Sequence, residues 1–122
     1  IYFSFGLLSC GLLSCSKTEI NPAYLTAKSW IPTSYELKGV EKIRECEKDD
    51  TLTYKTNGLV EVKAGGVQCD IFEIPFATFN YSLDQKNATL TLGVNTHDVI
   101  ILDANTLKIE KKSDGSLYTF RH

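Results

Sequence analysis

Three groups of residues in this sequence have side chains that could support chemistry: two histidines, an acidic cluster and a pair of cysteines. His97 and His122 are the only histidines in the 122 residues. A Ser-His-Asp site could be assembled around His97, but no nucleophile elbow or other catalytic motif surrounds it. The pair His97-Asp98 is more typical of the mouth of a strand. We therefore predict that the protein is not an enzyme.

The acidic cluster is Asp49-Asp50, with Glu45 and Glu47 just before it. A calcium loop needs ligands at alternate positions around a central glycine, and this pattern is absent from the segment. Gly65-Gly66 does not precede a helix, so it does not form a phosphate-binding loop. We interpret the cluster as a solvated acidic turn, and we predict neither a metal ion nor a cofactor.

Cys46 and Cys69 have no cysteine or histidine within four residues on either side. A zinc site needs three or four such ligands at short spacings, so the two cysteines do not resemble one. In an exported protein, the default state of two such cysteines is a disulfide. This bond would stabilise the domain by roughly 3 kcal/mol on the chain-entropy model. We therefore predict a structural disulfide between Cys46 and Cys69.

The first residues of the sequence indicate export. Residues 1–13 are apolar or small throughout, and the first charge is Lys17. This run is shorter than the roughly 20 apolar residues that span a bilayer, and it fits the apolar core of a secretory signal. Because the sequence contains no Met, we expect residues 1–14 to be the remaining part of a truncated signal peptide.

Leu12-Leu13-Ser14-Cys15 resembles a bacterial lipobox, the motif that precedes cleavage and lipidation of its cysteine. Leu7-Leu8-Ser9-Cys10 has the same spelling, but cleavage there would leave Cys15 as an odd thiol. We therefore predict lipidation of Cys15, a lipidated tether over 15–20 and one folded domain over 21–122. Such a protein contacts the membrane only through its lipid anchor, in the bacterial cell envelope. The outer membrane is the predicted site, with the domain periplasmic or surface-exposed.

Composition narrows the possible partners. The chain has 13 Lys and Arg against 15 Asp and Glu, a formal charge of −2, which gives no electrostatic case for nucleic acid. With 43% hydrophobic and 23% charged residues, it matches an ordinary globular domain. We predict a monomer that does not bind nucleic acid.

The sequence of the domain predicts one short helix followed by strands. Residues 21–28 are typical of a short helix, with Asn21 as N-cap and Pro22 in the first helical position. Eight strands follow, and Val99 to Leu102 reads as a strand covered on both faces. The presence of Pro75 predicts that the irregular segment before it is an edge strand or a loop. The predicted strands are 30–37, 51–56, 59–64, 76–83, 88–92, 99–102, 106–112 and 116–121.

The turns between these strands favour an up-and-down antiparallel meander. Asn57-Gly58 is a strong hairpin signal, and turn residues recur every 8 to 12 positions. An open meander would expose two edges, whereas about eight strands suffice to close a small barrel. We predict an all-β fold closed into a small barrel, with a half-open barrel or a sandwich as the alternative.

This arrangement resembles the lipocalin-like lipoproteins of Bacteroidetes-type bacteria. The likeness rests on the lipobox, the short helix leading to Trp30, the two cysteines around the first hairpin, and the tail that ends at Arg121. In lipocalins, a tryptophan that starts the first strand packs across the barrel floor against an arginine from the last strand. The resemblance implies this role for Trp30 and Arg121. Lys28 departs from the family pattern, which has glycine two residues before the tryptophan.

Aromatic residues on the predicted strands either fill the barrel or line a cavity, and the sequence does not decide between the two. If a cavity exists, the candidate ligand-binding residues are Tyr35, Tyr54, Phe79, Tyr81 and Tyr118. We accordingly predict non-enzymatic binding of a small apolar or amphipathic ligand. The alternative is a filled barrel that acts as a protein–protein interaction module or a lysozyme-type hydrolase inhibitor. Its loops 39–50 and 65–75 would then contact the partner.

Overall fold

The computed structural model describes residues 20–67, 69 and 76–122. The predicted signal segment, Cys15 and most of the tether lie outside the described residues. One short helix, α1 (Ala23–Thr26), precedes nine strands. These are β1 (Ile31–Leu37), β2 (Val40–Glu41), β3 (Thr51–Tyr54), β4 (Leu59–Lys63), β5 (Phe76–Asp84), β6 (Thr89–Leu92), β7 (Asn95–Leu102), β8 (Thr106–Lys111) and β9 (Leu117–Arg121).

The strands form one antiparallel sheet in the order β2-β1-β9-β8-β7-β6-β5-β4-β3. The ends of the sheet meet at one point, where Trp30 and Leu52 exchange two backbone hydrogen bonds of 2.7 and 2.8 Å. Eight strands therefore run round from β1 to β3, and the two-residue strand β2 lies beside β1. The predicted antiparallel meander is confirmed, and β2 is one strand more than the sequence predicted.

The antiparallel pairing gives the sheet two different ends. At the closed end lie α1 and the turns after β3, β5 and β7. At the open end lie the turns after β6 and β8, the connection from β2 to β3, and the points where the chain leaves β4 and enters β5. The distance of an inward side chain from the closed end determines whether it belongs to the packed core or to the candidate site.

The closed end is packed with apolar side chains. Trp30 is fully buried, and its indole Nε1 donates a hydrogen bond to the carbonyl of Leu25, 3.0 Å away. Val60, Leu90 and Leu107 are equally inaccessible to solvent. Burial of each such side chain stabilises the fold by about 1.5–3 kcal/mol. The core that holds the sheet together therefore lies at this end.

The helix that closes this end is shorter than the sequence predicted. Residues 21–28 were expected to be helical, but α1 contains four residues. The side-chain oxygen of Asn21 accepts the backbone N–H of Ala23 at 2.9 Å, as an N-terminal cap would. One turn suffices because its role is to bring Leu25 beneath Trp30.

A disulfide between Cys46 and Cys69 holds the open end, as predicted. Cys46 lies in a single 3-10 turn, Glu45–Glu47, between β2 and β3. Two carboxylates add to this link: Asp49 accepts the backbone N–H of Val67, and Asp50 that of Gly65, each at 3.1 Å. The acidic cluster therefore ties the β2–β3 connection to the chain that follows β4.

Two bulges explain where the predicted strand patterns were wrong. The alternation of residues 30–37 predicts that Ile31, Thr33, Tyr35 and Leu37 share one side of the first strand. In β1, however, the register shifts between Pro32 and Ser34, and Thr33 is exposed. In β7 it shifts between Val99 and Ile101. Ile100 is 50% exposed and Ile101 40%, so the prediction that this run is covered on both faces was wrong. An extra residue in one strand has no partner and turns its neighbour outward.

Candidate functional site

In the open half of the barrel, two of the cavities formed by the described residues share Tyr118 and Phe120 as walls. The first, which we call the inner cavity, has a volume of about 240 Å³. Its other lining residues are Phe79, Leu92, Asn95, His97, Ile109 and Lys111. The second, the hairpin cavity, has a volume of about 340 Å³. Its other lining residues are Pro32, Ser34, Tyr35, Ile43, Glu47 and Asp50.

Tyr118 separates the two cavities. Its ring stacks on that of Tyr35, with centroids 4.7 Å apart and planes 10° from parallel. On the other side it meets the imidazole of His97 in an edge contact at 5.8 Å. The stack forms because Tyr35 and Tyr118 are directly opposed on the antiparallel strands β1 and β9. A ring held on both sides gives each cavity a rigid aromatic wall.

His97 is the most buried polar residue on the cavity walls, with 5% of its surface exposed. Its Nδ1 lies 3.3 Å from the carbonyl oxygen of Leu90, directly opposite on β6. A carbonyl only accepts, so Nδ1 carries the proton of the neutral ring. Burial lowers the pKa of His97, and the positive charge of Lys111 lowers it further. At neutral pH the imidazole is therefore uncharged.

Lys111 brings a positive charge to the same wall. It is the cross-strand neighbour of His97, and it faces inward because it alternates with the buried residues Leu107 and Ile109 along β8. Within the described residues, no carboxylate lies at ion-pair distance from its ammonium. By contrast, Lys112 on the next position pairs with Asp98 at 3.0 Å.

Three of the five predicted ligand-binding residues lie on cavity walls, namely Tyr35, Phe79 and Tyr118. Tyr54 and Tyr81 do not line either cavity. They pack edge to face at 5.1 Å towards the closed end, where the Tyr81 hydroxyl donates to the carbonyl of Lys55. Tyr54 is 1% exposed, and its hydroxyl has no hydrogen-bond partner among the residues that the structure describes. Burial, and to a lesser degree the neighbouring Tyr81, raises the pKa of this hydroxyl well above its usual range.

The structure differs from the predicted barrel-floor pair of Trp30 and Arg121. Arg121 is opposite Ile31 and follows the buried Phe120, so alternation turns it outward. It is exposed, and its guanidinium donates to the Thr106 hydroxyl at 3.1 Å. The ring that meets Trp30 edge-on belongs to His122, at 4.6 Å between centroids.

Sequence reasoning missed the polar side of the inner cavity. It placed His97 at the mouth of a strand without a binding role, and it did not single out Asn95 or Lys111. A signal was present for Lys111, because an inward-facing charge in a strand of alternating pattern needs an explanation. Asn95 gave no such signal, since it precedes the predicted strand 99–102 and belongs to β7 only in the structure.

Residues 20–67, 69 and 76–122 contain neither a cluster of metal ligands nor a membrane-spanning helix. No group of three or more His, Cys, Asp or Glu side chains in these ranges is arranged to hold a metal ion. No helix in them has the length and apolar character needed to cross a membrane.

Comparison with known proteins identifies the fold. No protein family profile and no curated protein sequence matches the chain. A solved DUF4847 family protein from Bacteroides vulgatus ATCC 8482 superposes with a TM-score of 0.63 at 10% identity, over 83% of this chain and 96% of that one. A lipocalin-like protein from Bacteroides uniformis ATCC 8492 gives a TM-score of 0.57 at 18% identity, over 80% and 97%. The antiparallel sheet with its short helix therefore has a lipocalin-like fold.

Proposed function

We propose that the protein is a lipid-anchored lipoprotein of the bacterial cell envelope that binds a small apolar or amphipathic molecule without catalysis. The observation that carries the proposal is the unfilled open half of the barrel, with two cavities around Tyr118. Ligand sites are concave, mostly apolar and supplied with a few polar groups, and both cavities have this character.

The closed half shows that the cavities are not a consequence of the fold alone. Trp30, Tyr54 and Leu107 lie in that half, and each of them is 1% exposed or less. Protein interiors are packed to nearly uniform density, with few voids larger than a water molecule. Space that is left unfilled in one half of a small barrel is therefore best explained by an occupant.

The volumes limit the size of the ligand. The range for ligand sites is roughly 300–1,000 Å³. The inner cavity, at about 240 Å³, lies below this range, and the hairpin cavity, at about 340 Å³, lies near its lower end. The proposed ligand is correspondingly small, with one flat or flexible apolar part that packs against the aromatic walls.

The proposed location rests on two observations. The lipobox-like sequence at Cys15 follows an apolar segment, and the domain contains a disulfide. Structural disulfides persist in oxidising compartments such as the periplasm, and one multiply acylated cysteine is enough to anchor a folded domain. The lipid anchor would thus hold the barrel at the outer membrane.

Native mass spectrometry tests the binding proposal. The chain from residue 16 onward, which contains the whole sheet and the disulfide, is produced in an oxidising compartment and kept in detergent-free buffer. We expect a discrete added mass that is lost on denaturation. Leu92→Trp replaces an aliphatic side chain on the wall of the inner cavity by a larger indole ring, and it should reduce the bound fraction.

Val94→Trp is the matched control, because Val94 lies at the same end of the barrel but is 95% exposed. It should leave the bound fraction unchanged. A bare, oxidised wild-type protein would contradict the proposal and favour the interaction module or hydrolase inhibitor. An equal loss of the adduct in both tryptophan variants would show that the ligand sits outside the cavity.

A further inference from the structure

We propose that the inner cavity selects ligands with an anionic group, and that Lys111 is the residue that binds this group. This inference rests on the proposed ligand-binding function and specifies the chemistry of its ligand. The expected occupant is a small amphiphile whose apolar part lies on Phe79 and Tyr118. Its carboxylate, or an anion of similar size, lies beside the Lys111 ammonium.

The first step of the argument is the balance of charge on the walls. Among the residues that the structure describes, the walls of the inner cavity include one cation, Lys111, and no Asp or Glu. The neutral His97 and the amide of Asn95 supply polarity without negative charge. An anion that enters this cavity meets the positive charge of Lys111, in surroundings that are otherwise mostly apolar.

The second step is that no carboxylate of the described residues lies at ion-pair distance from the Lys111 ammonium. Lys48, Lys55 and Lys112 each have a carboxylate within ion-pair distance, at 2.7, 3.7 and 3.0 Å respectively. Asp114 lies near enough to Lys111 for the lysine charge to lower the pKa of that carboxyl. Its Oδ1, however, accepts both the backbone N–H and the hydroxyl of Ser116.

A partly buried cation without a partner is costly, and proteins normally supply the counter-charge. Here a ligand anion would supply it. This explains why an inward-facing lysine is retained on a strand whose other inward residues are apolar.

The third step is the contrast with the hairpin cavity. Its two carboxylates, Glu47 and Asp50, already have partners. The two oxygens of Glu47 lie 2.9 Å from the backbone nitrogen and 3.6 Å from the guanidinium of Arg44, and Asp50 accepts the N–H of Gly65. These two carboxylates stabilise the loop through their existing partners, so they are not available to bind a cationic ligand. The unmatched charge of the interior therefore belongs to Lys111.

Two fluorescent probes test the inference. Anilinonaphthalene sulfonate and N-phenyl-naphthylamine share one ring system and differ by a single sulfonate. Both are titrated into the oxidised protein at fixed ionic strength, and the ratio of their affinities is the readout. Lys111→Gln should weaken binding of the sulfonate by about tenfold, the loss typical of a charge-assisted hydrogen bond. Binding of the neutral probe should change by less than about twofold.

Two control variants separate a local effect from a general one. Lys108→Gln removes the same charge from the outer face of β8, where Lys108 is opposite Thr119. It should leave the affinity ratio unchanged. Lys111→Arg keeps the charge and should retain preference for the sulfonate, which also shows that substitution at this position is compatible with folding.

The outcomes distinguish the inference from the proposed function. If the neutral probe binds and Lys111→Gln does not change the affinity ratio, the inference is wrong and the binding function stands. An equal effect of Lys108→Gln would likewise overturn it, because net charge alone would then explain the preference. If neither probe binds the wild-type protein, both the inference and the proposed function are wrong.

Discussion

Replacing Tyr54 by Phe should stabilise this protein, although the change removes a polar group from its core. The ring of Tyr54 is 1% exposed and packs edge-on against Tyr81, and Phe retains that packing. The hydroxyl is buried without a hydrogen-bond partner. An unsatisfied buried polar group costs about 1–3 kcal/mol, because its bonds to water are lost and not replaced.

The small void left by the missing oxygen offsets part of this gain. We therefore expect Tyr54→Phe to raise the free energy of unfolding by about 1 kcal/mol. For a domain of this size, that is about 4 °C in melting temperature. Tyr81→Phe is the matched control from the same ring pair. It removes a hydroxyl that donates to the carbonyl of Lys55, so it should destabilise the fold by about 1 kcal/mol.

Urea denaturation followed by circular dichroism measures both variants, and alkaline pH gives a second readout. Burial raises the pKa of Tyr54 in the folded protein, whereas an unfolded tyrosine ionises near pH 10. The contribution of Tyr54 ionisation to the free energy of unfolding is therefore constant below about pH 10, and it falls as the pH rises further. Tyr54→Phe should remove part of this decline. If the variant is instead less stable than the wild type at neutral pH, the hydroxyl holds a buried water or a ligand group, and our reasoning is refuted.

Two more predictions concern the open end of the barrel. Replacing Cys46 and Cys69 by serine should lower the free energy of unfolding by roughly 3 kcal/mol, measured by urea titration against the oxidised wild type; an unchanged midpoint would show that the disulfide is not structural. Burial lowers the pKa of His97, so its contribution to stability is present above about pH 6.5 and is lost as the pH falls and the unfolded chain takes up the proton. Urea unfolding at pH 7 and pH 5 should therefore show a smaller acid loss in His97→Gln than in the wild type, and equal losses would contradict this assignment.

The features that the sequence predicted well are encoded by neighbouring residues. Asn57-Gly58 gives the hairpin between β3 and β4 because Gly58 adopts a positive φ of 87° at little cost. The alternation in β5 survives intact, with one residue in two partly buried from end to end. Local turn chemistry and a period of two residues need no knowledge of the rest of the chain.

The features that the sequence did not predict depend on distant partners. Thr33 and Ile100 carry no local mark of a bulge, because a bulge is defined by the register against β9 or β8. Tyr54 and Tyr118 show the same problem in the site. Both lie on an apolar inward face, but only the register places Tyr54 towards the closed end and Tyr118 beside the cavities. Filling and lining residues therefore look identical in sequence.

The two halves of this barrel differ in packing, and the proposed binding role belongs to the less packed half. Trp30 and the apolar residues around it provide a packed core at the closed end. The open end carries features that lower stability: unfilled volume, the buried neutral His97 and the unpaired ammonium of Lys111. Departures from consistent packing tend to gather where a protein works.

The rim of this open end is held by links between loops. The Cys46–Cys69 disulfide links two segments at its rim, and Asp49 binds the backbone of Val67 in the same place. These links fix the rim without filling the interior, because they join loops and do not occupy the space between strands. The structural role of the disulfide and the proposed binding role of the cavities are in this way connected: the covalent bond replaces core packing that the open half of the barrel lacks.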